Sequence, residues 1–313
     1  MTHRFVLVSF VIGLAALQSC TRLPSGRSMI AYSELLAVPV APPDQRIAYG
    51  SETLQFGELR LPPGSDPAPL IVLMHGGCWR SQYDLKHVGA AAEALAKEGF
   101  VVWSIEYRRI GDLNGGWPGT FDDVAHAVDY VTRLAAQYPR IDTTRVVLMG
   151  HSAGGQLALW AASRKQNEQS GLFRSSIAPL KVAGVVSLAG ITDLVEFGAG
   201  TGGCNTSVAP LLGGTPQQVP QRYKAVSPVE RVPLGVFVRL VHGDADPIVP
   251  LAQSRAFLKR ARGDGDRAEL DVIAGGGHFD LLAPQSTAWP TVVRAAKWAA
   301  GPGAKKMPGH SGL

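Results

Sequence analysis

The stretch Val146-Val147-Leu148-Met149-Gly150-His151-Ser152-Ala153-Gly154 decides the fold. Its four leading apolar residues read as a buried strand that runs straight into a G-x-S-x-G turn. Good helix formers follow at once, Gln156-Leu157-Ala158-Leu159-Trp160-Ala161-Ala162. A sharp strand-to-helix turn forces the serine into a strained conformation with its hydroxyl presented, and the flanking glycines give the chain room to pass. The helix start aims backbone N–H groups at the place where an oxyanion would form. A G-x-S-x-G pentapeptide alone is weak in a chain of 313 residues with 36 glycines, so its companions decide.

Three companions lie outward from it. Upstream, His75-Gly76-Gly77-Cys78-Trp79 follows the apolar run Leu70-Ile71-Val72-Leu73-Met74. A glycine pair after a strand lets the backbone approach a ligand with its N–H groups free. Downstream, Val241-His242-Gly243-Asp244-Ala245-Asp246-Pro247 follows the run from Gly235 to Leu240. Farther on, Gly275-Gly276-Gly277-His278-Phe279 follows Leu270-Asp271-Val272-Ile273. The chain order is therefore serine, carboxylate, histidine, each on a loop after a strand, which is the order of the α/β-hydrolase triad.

The chain resembles the α/β-hydrolase superfamily, in the branch of esterases and kynurenine-formamidase-like enzymes that carry H-G-G-x-W. Ile105-Glu106-Tyr107-Arg108, the block Trp117-Pro118 to Asp123, and His278-Phe279-Asp280-Leu281-Leu282 with Pro284 and Trp289 share in the likeness, which covers residues 45 to 300. The resemblance implies Ser152 as nucleophile and His278 as general base. It implies Asp246 rather than Asp244 as the orienting acid, because H-G-x-x-D-x-x-V-P puts the acid at the second aspartate. The N–H groups of Ala153, Gly77 and Cys78 would hold the oxyanion. Trp79, Trp117 and Phe279 are candidates to line the substrate pocket. No cofactor or metal is needed for this chemistry.

His151, His75 and His242 are read as loop braces, and His87 and His126 as packing or surface residues. Two reactions fit the resemblance: hydrolysis of small carboxylic esters through an acyl-enzyme, and aryl formamide hydrolysis. The ester reading leads. A non-enzymatic hydrolase fold kept as a binding module is disfavoured, since all three triad residue types stand at loop ends.

The amino-terminus predicts export. His3 and Arg4 precede the apolar segment Phe5 to Leu17, which is short for a membrane span of about 20 residues but fits a signal peptide. Leu17-Gln18-Ser19-Cys20 resembles the bacterial lipobox, with Cys20 the residue to be acylated. The expected layout is a signal peptide over 1–19, a lipidated tether over 20–44, the hydrolase domain over 45–300 and a tail over 301–313. That makes the chain a membrane-anchored lipoprotein facing the periplasm or the cell exterior; a plainly cleaved signal peptide and an uncleaved anchor are the alternatives, and all three place it outside the cytoplasm. The two other cysteines, Cys78 and Cys204, are either bridged, which would pin the Gly198–Gly214 loop beside the pocket, or left as two thiols.

Composition is compatible. At 46% hydrophobic and 18% charged the chain packs as a globule, and its net charge of +5 is scattered rather than striped. No basic stripe interleaved with aromatics points to nucleic acid. Gly198-x-Gly200-x-x-Gly203 lacks the strand and helix that a nucleotide loop requires and reads as a flexible loop.

Residues 46–61 suggest an opening hairpin. Continuous apolar runs at 70–74, 101–105, 146–149, 182–189, 236–241 and 269–273 suggest strands covered on both faces. Phe121 to Tyr138 has helical spacing, with Phe121, Val124, Val128, Val131 and Leu134 on one face. The fold class is α/β, a mostly parallel central sheet with helices on both faces.

Overall fold

The computed structural model of the protein describes Met1, residues 29–164 and residues 179–301. Apart from Met1 and Gly301, the segments proposed as signal peptide, acylation site and tail lie outside these residues. An eight-stranded sheet organises the chain: β1 (Gln45–Ala48), β2 (Phe56–Arg60), β3 (Ala68–Met74), β4 (Val101–Ile105), β5 (Ile141–His151), β6 (Gly184–Leu188), β7 (Phe237–Gly243) and β8 (Ala268–Ile273). Their spatial order is β1-β2-β4-β3-β5-β6-β7-β8. The first two strands form the antiparallel hairpin expected from the sequence, β2 pairs antiparallel with β4, and the remaining pairs are parallel.

The runs are apolar without alternation because both faces are covered. Leu70, Val72 and Met74 join one core with Trp103, Leu148, Leu157, Phe121 and Phe257. Their neighbours Ile71 and Leu73 join another with Val102, Val147, Leu95, Val292 and Ala296. Helices α3 (Gly119–Asp129), α5 (Ala153–Ala162) and α9 (Leu251–Gly263) therefore cover the first face. Helices α2 (Gly89–Lys97) and α10 (Trp289–Ala299) cover the second. At about 1.5–3 kcal/mol for each large side chain taken out of water, these two layers dominate the favourable side of folding.

Three local readings are corrected. The helical stretch 121–138 is two helices, α3 and α4 (Val131–Gln137), with Tyr130 between them. The glycine-rich region 198–214 contains a short helical pair, a 3-10 turn at Asn205–Ser207 and α7 (Val208–Leu212), whose Val208, Leu211 and Leu212 are buried. The tether assigned to residues 20–44 is folded from residue 29 onward. Helix α1 (Tyr32–Leu36) buries Leu35 in the second core, and Ile30 N–H donates to Asp280 Oδ1 at 2.7 Å. Apolar burial and that hydrogen bond outweigh a composition that reads as a linker.

The topology fixes where chemistry can happen. The chain leaves β3 toward β4 on one side and later builds β5 on the other, so the loops after β3 and β5 part at a switch point in the strand order. Met74 and Gly150 are register partners across that boundary. The segments His75–Trp79 and His151–Gly154 therefore leave the sheet side by side.

Candidate active site

Ser152 is the hinge between β5 and α5. It holds φ 56° and ψ −120°, a left-handed backbone that costs a residue with a Cβ about 1–3 kcal/mol. Close packing enforces the turn. A Cβ on Gly150 would lie 2.0 Å from Gly154 O, and one on Gly154 would lie 2.2 Å from Met74 O. Ser152 N–H donates to Leu188 O at 2.9 Å, while its own carbonyl accepts from Gly155 and Gln156.

The loop after β3 is strained as well. Gly77, Cys78 and Trp79 have φ of 100°, 54° and 55° in succession. Four ties hold them. A disulfide joins Cys78 to Cys204 across 126 residues. Arg80 donates to Ser207 Oγ, Gly203 O and Thr206 Oγ1. Trp79 Nε1–H donates to Gln156 Oε1 at 3.1 Å, and Gln156 in turn donates to Val226 O. Ile110 N–H donates to Trp79 O. Among the described residues, the N–H groups of Gly77, Cys78 and Ala153 have no backbone partner, so the three oxyanion candidates remain available.

Beneath that loop lies a buried ionic cluster. His75 Nε2 is 2.9 Å from Glu106 Oε1, and Arg109 Nη1 is 3.0 Å from the same oxygen. His75 Nδ1 is 2.7 Å from Gly76 O. Tyr107 O–H donates to the His75 carbonyl, and Leu85 N–H donates to Glu106 Oε2. Burial pushes the Glu106 pKa up, but the charge and hydrogen bond of His75, with the charge of Arg109, outweigh it and leave the carboxyl below its usual range. Glu106 is thus ion-paired with Arg109, while Arg108 pairs with the buried Asp123.

On the other side, His278 Nδ1 is 2.6 Å from Asp246 Oδ2. Asp246 Oδ1 accepts from the N–H groups of Ile248 and Val249. His242 lies 3.5 Å away, itself bonded to Ser254 Oγ and Val249 O. Burial alone would raise the Asp246 pKa. Hydrogen bonds from His242 and His278, the His278 charge and the Val249 N–H reverse this and hold it well below the usual carboxylate range. Asp244 is exposed and accepts from Gly275 N–H, so it closes the turn between the two loops.

The serine turn and the histidine loop meet through His151. Its ring centroid is 4.4 Å from that of His278, and its Nε2 is 2.9 Å from the His278 carbonyl oxygen. Ser152 thus follows directly on a residue bonded to the histidine that Asp246 holds. With His278 Nδ1 engaged by the carboxylate, Nε2 is the nitrogen left for a hydroxyl proton.

The pocket candidates fare differently. Trp79 is corrected: its ring is fully buried in the core, because a left-handed backbone at residue 79 tucks the indole under the loop. Phe279 is half-buried and packs against the rings of Tyr32, His87, His151 and His278. Trp117 is half-buried against Phe121, with the Arg222 guanidinium 5.4 Å from its ring centre, and its backbone N–H donates to Leu211 O. Two contacts with structural weight escaped the sequence reading: that of Gln156 with Trp79, and that of His87, read as packing or surface, with His151 Nδ1 at 2.8 Å. Gln156 did leave a signal, as the one polar side chain in a helix buried on every side.

Residues 58–260 match the BD-FAE family. Esterase LipC of Mycobacterium tuberculosis is 26% identical over 246 residues, which is 76% of this chain and 60% of LipC. A probable isoprenylcysteine alpha-carbonyl methylesterase of Oryza sativa is 26% identical over 253 residues, 75% of this chain and 57% of that protein. The chain thus spans about 60% of the length of these relatives. Among solved structures, a truncated carbohydrate esterase from gut microbiota superposes with TM-score 0.70 at 24% identity, over 83% of this chain and 97% of that one. The apo form of Thermogutta terrifontis esterase 2 superposes with TM-score 0.66 at 22% identity, over 82% and 94%. At these identities the structural likeness is one of fold.

Proposed function

Since this chain belongs to the BD-FAE family and has the α/β-hydrolase fold, we propose that it is a serine carboxylic ester hydrolase with Ser152, His278 and Asp246 as its triad. The observation that carries this is the 2.6 Å contact of Asp246 with His278, on a loop hydrogen-bonded to the residue before a strained serine.

Ser152 Oγ attacks the ester carbonyl while His278 Nε2 takes its proton. Asp246 fixes the imidazole tautomer and stabilises its cation. The N–H groups of Gly77, Cys78 and Ala153 meet the developing oxyanion, each worth about 3 kcal/mol of transition-state stabilisation. As the carbonyl–oxygen bond to the leaving alcohol breaks, His278 returns its proton to that oxygen. Water then attacks the acyl-enzyme, His278 takes the water proton, and Ser152 leaves with it. The ester reading is preferred to aryl formamide hydrolysis because the relatives named above are esterases. Small acyl esters of alcohols or sugars are the substrates proposed.

The protein is also proposed to be exported and anchored through an acylated Cys20. Supporting this is the bridge between Cys78 and Cys204, a bond that persists in oxidising compartments.

Ser152→Ala should fold as the parent does and lose p-nitrophenyl acetate hydrolysis; substantial residual turnover removes Ser152 from the mechanism. Cys20→Ser should abolish incorporation of radiolabelled fatty acid, and a parent protein that takes up no label contradicts the anchor.

A further inference from the structure

Two buried histidines outside the triad form a chain that ends on its general base. His87, in a 3-10 turn at Leu85–Val88, and His151 are both buried, with Nε2 of the first 2.8 Å from Nδ1 of the second. His151 Nε2 lies 2.9 Å from the His278 carbonyl oxygen.

Chemistry fixes the tautomers. A carbonyl oxygen only accepts, so His151 Nε2 carries a hydrogen. Both rings are neutral, since burial first and neighbouring imidazoles second hold each pKa well below its ordinary value. His151 Nδ1 is then a bare acceptor, and His87 Nε2–H donates to it. His87 Nδ1 is left as a lone pair, and it is indeed buried without a partner. The opposite arrangement would set the lone pair of His151 Nε2 against those of the carbonyl.

We propose that His151, set in its Nε2–H tautomer by His87, is a positioning residue that locks His278 onto the Ser152 turn. This rests on the reading of His278 as general base. His278 is gripped at two points, its ring by Asp246 and its backbone carbonyl by His151. Two points define the direction of Nε2, where the ring contact alone would fix only one end of the residue. The second grip comes from the residue adjoining the nucleophile, so base and nucleophile share one reference. Gly76 makes room for the chain, since a Cβ there would lie 2.9 Å from His87 Nε2. The Tyr32 and Phe279 rings, 5.5 and 6.2 Å away, wall in His87.

Two amide substitutions separate positioning from packing. In His151→Gln the amide nitrogen reaches the Nε2 position and keeps the donor to the His278 carbonyl. In His151→Asn the amide reaches only the Nδ1 position and loses it. H151N should lower kcat by about 10- to 100-fold with KM within about threefold, as expected for a misplaced base, while H151Q stays within about fivefold of the parent. Equal losses in the two variants overturn the proposal. Nitrogen-15 shifts of the parent protein's imidazoles give a second readout, independent of any variant: both His87 and His151 should be Nε2–H tautomers, and an Nδ1–H tautomer at His151 overturns it. Fluorophosphonate labelling of parental Ser152 keeps the outcomes distinct. Its failure rejects the hydrolase reading, whereas normal labelling with equal variant losses rejects only the positioning role.

Discussion

The two flanks of the serine turn are held by different kinds of bond. The oxyanion flank, residues 75–80, is held by a disulfide, a permanently charged arginine and a buried His75–Glu106–Arg109 cluster. The base flank, residues 242–249 and 275–282, is held through one low-pKa carboxylate and neutral, buried imidazoles. The difference follows from what each flank must do. The proposed oxyanion donors are backbone N–H groups in a strained conformation, and strain persists only where the surroundings over-determine it. The proposed base, His278, changes charge during turnover, so apart from the Asp246 carboxylate that stabilises its cation, the imidazoles beside it stay neutral while it does. Reduction should therefore loosen the first flank, and acid the second.

The sharpest break of this contrast lies on the base flank. Asp246→Asn keeps the size of the side chain but presents an amide to His278, and it should lower kcat by about 10⁴-fold. Its neighbour Asp244→Asn should stay within about twofold, because Asp244 is exposed and serves only the Gly275 turn. Steady-state ester hydrolysis measures both, and a comparable loss in the two variants would reassign the acid.

Next comes the oxyanion flank. Cys204→Ser, or reduction of the parent, should destabilise the protein by about 2–5 kcal/mol because the bridge closes a long loop. It should also lower kcat more than it changes KM, since the loop it frees carries the N–H of Cys78. Denaturant titration and kinetics with and without reductant test this. Unaltered kcat would place the oxyanion donors elsewhere.

The smallest effect is the pH response of the base flank. His87 and His151 have native pKa values well below those of the unfolded chain, near 6.5. The unfolded state therefore binds more protons as pH falls below about 6.5, and stability drops by up to about 1.4 kcal/mol per pH unit for each histidine. Above pH 7 both are neutral in both states and the dependence vanishes. Glu106 and Asp246, with lowered values, contribute loss only in the acid range below about pH 4. Melting temperature against pH should show the decline beginning near 6.5, and a flat profile between 6.5 and 5 would contradict the neutral pair.

The sheet was legible because strands buried on both faces have no choice but to be apolar, as at Leu70–Met74 and Val146–Met149. The site loops were legible because each stands directly after such a run. What escaped has physical reasons. His87 and His151 are 64 residues apart, and nothing local in either segment announces a bond between them. Trp79 beside a glycine pair looks exposed until its φ of 55° turns the indole inward. Residues 29–36 look like linker because one buried leucine and one hydrogen bond to Asp280 leave almost no periodic signal. The bridge between Cys78 and Cys204 stayed open in the sequence because two cysteines carry no distance.

The most direct test of the central claim is peptide mass spectrometry of the protein after treatment with a fluorophosphonate ester. One phosphonyl group per chain, on the peptide bearing Ser152 and suppressed in His278→Ala, is the predicted result. No adduct, or an adduct on another residue with Ser152 unmodified, would contradict the account.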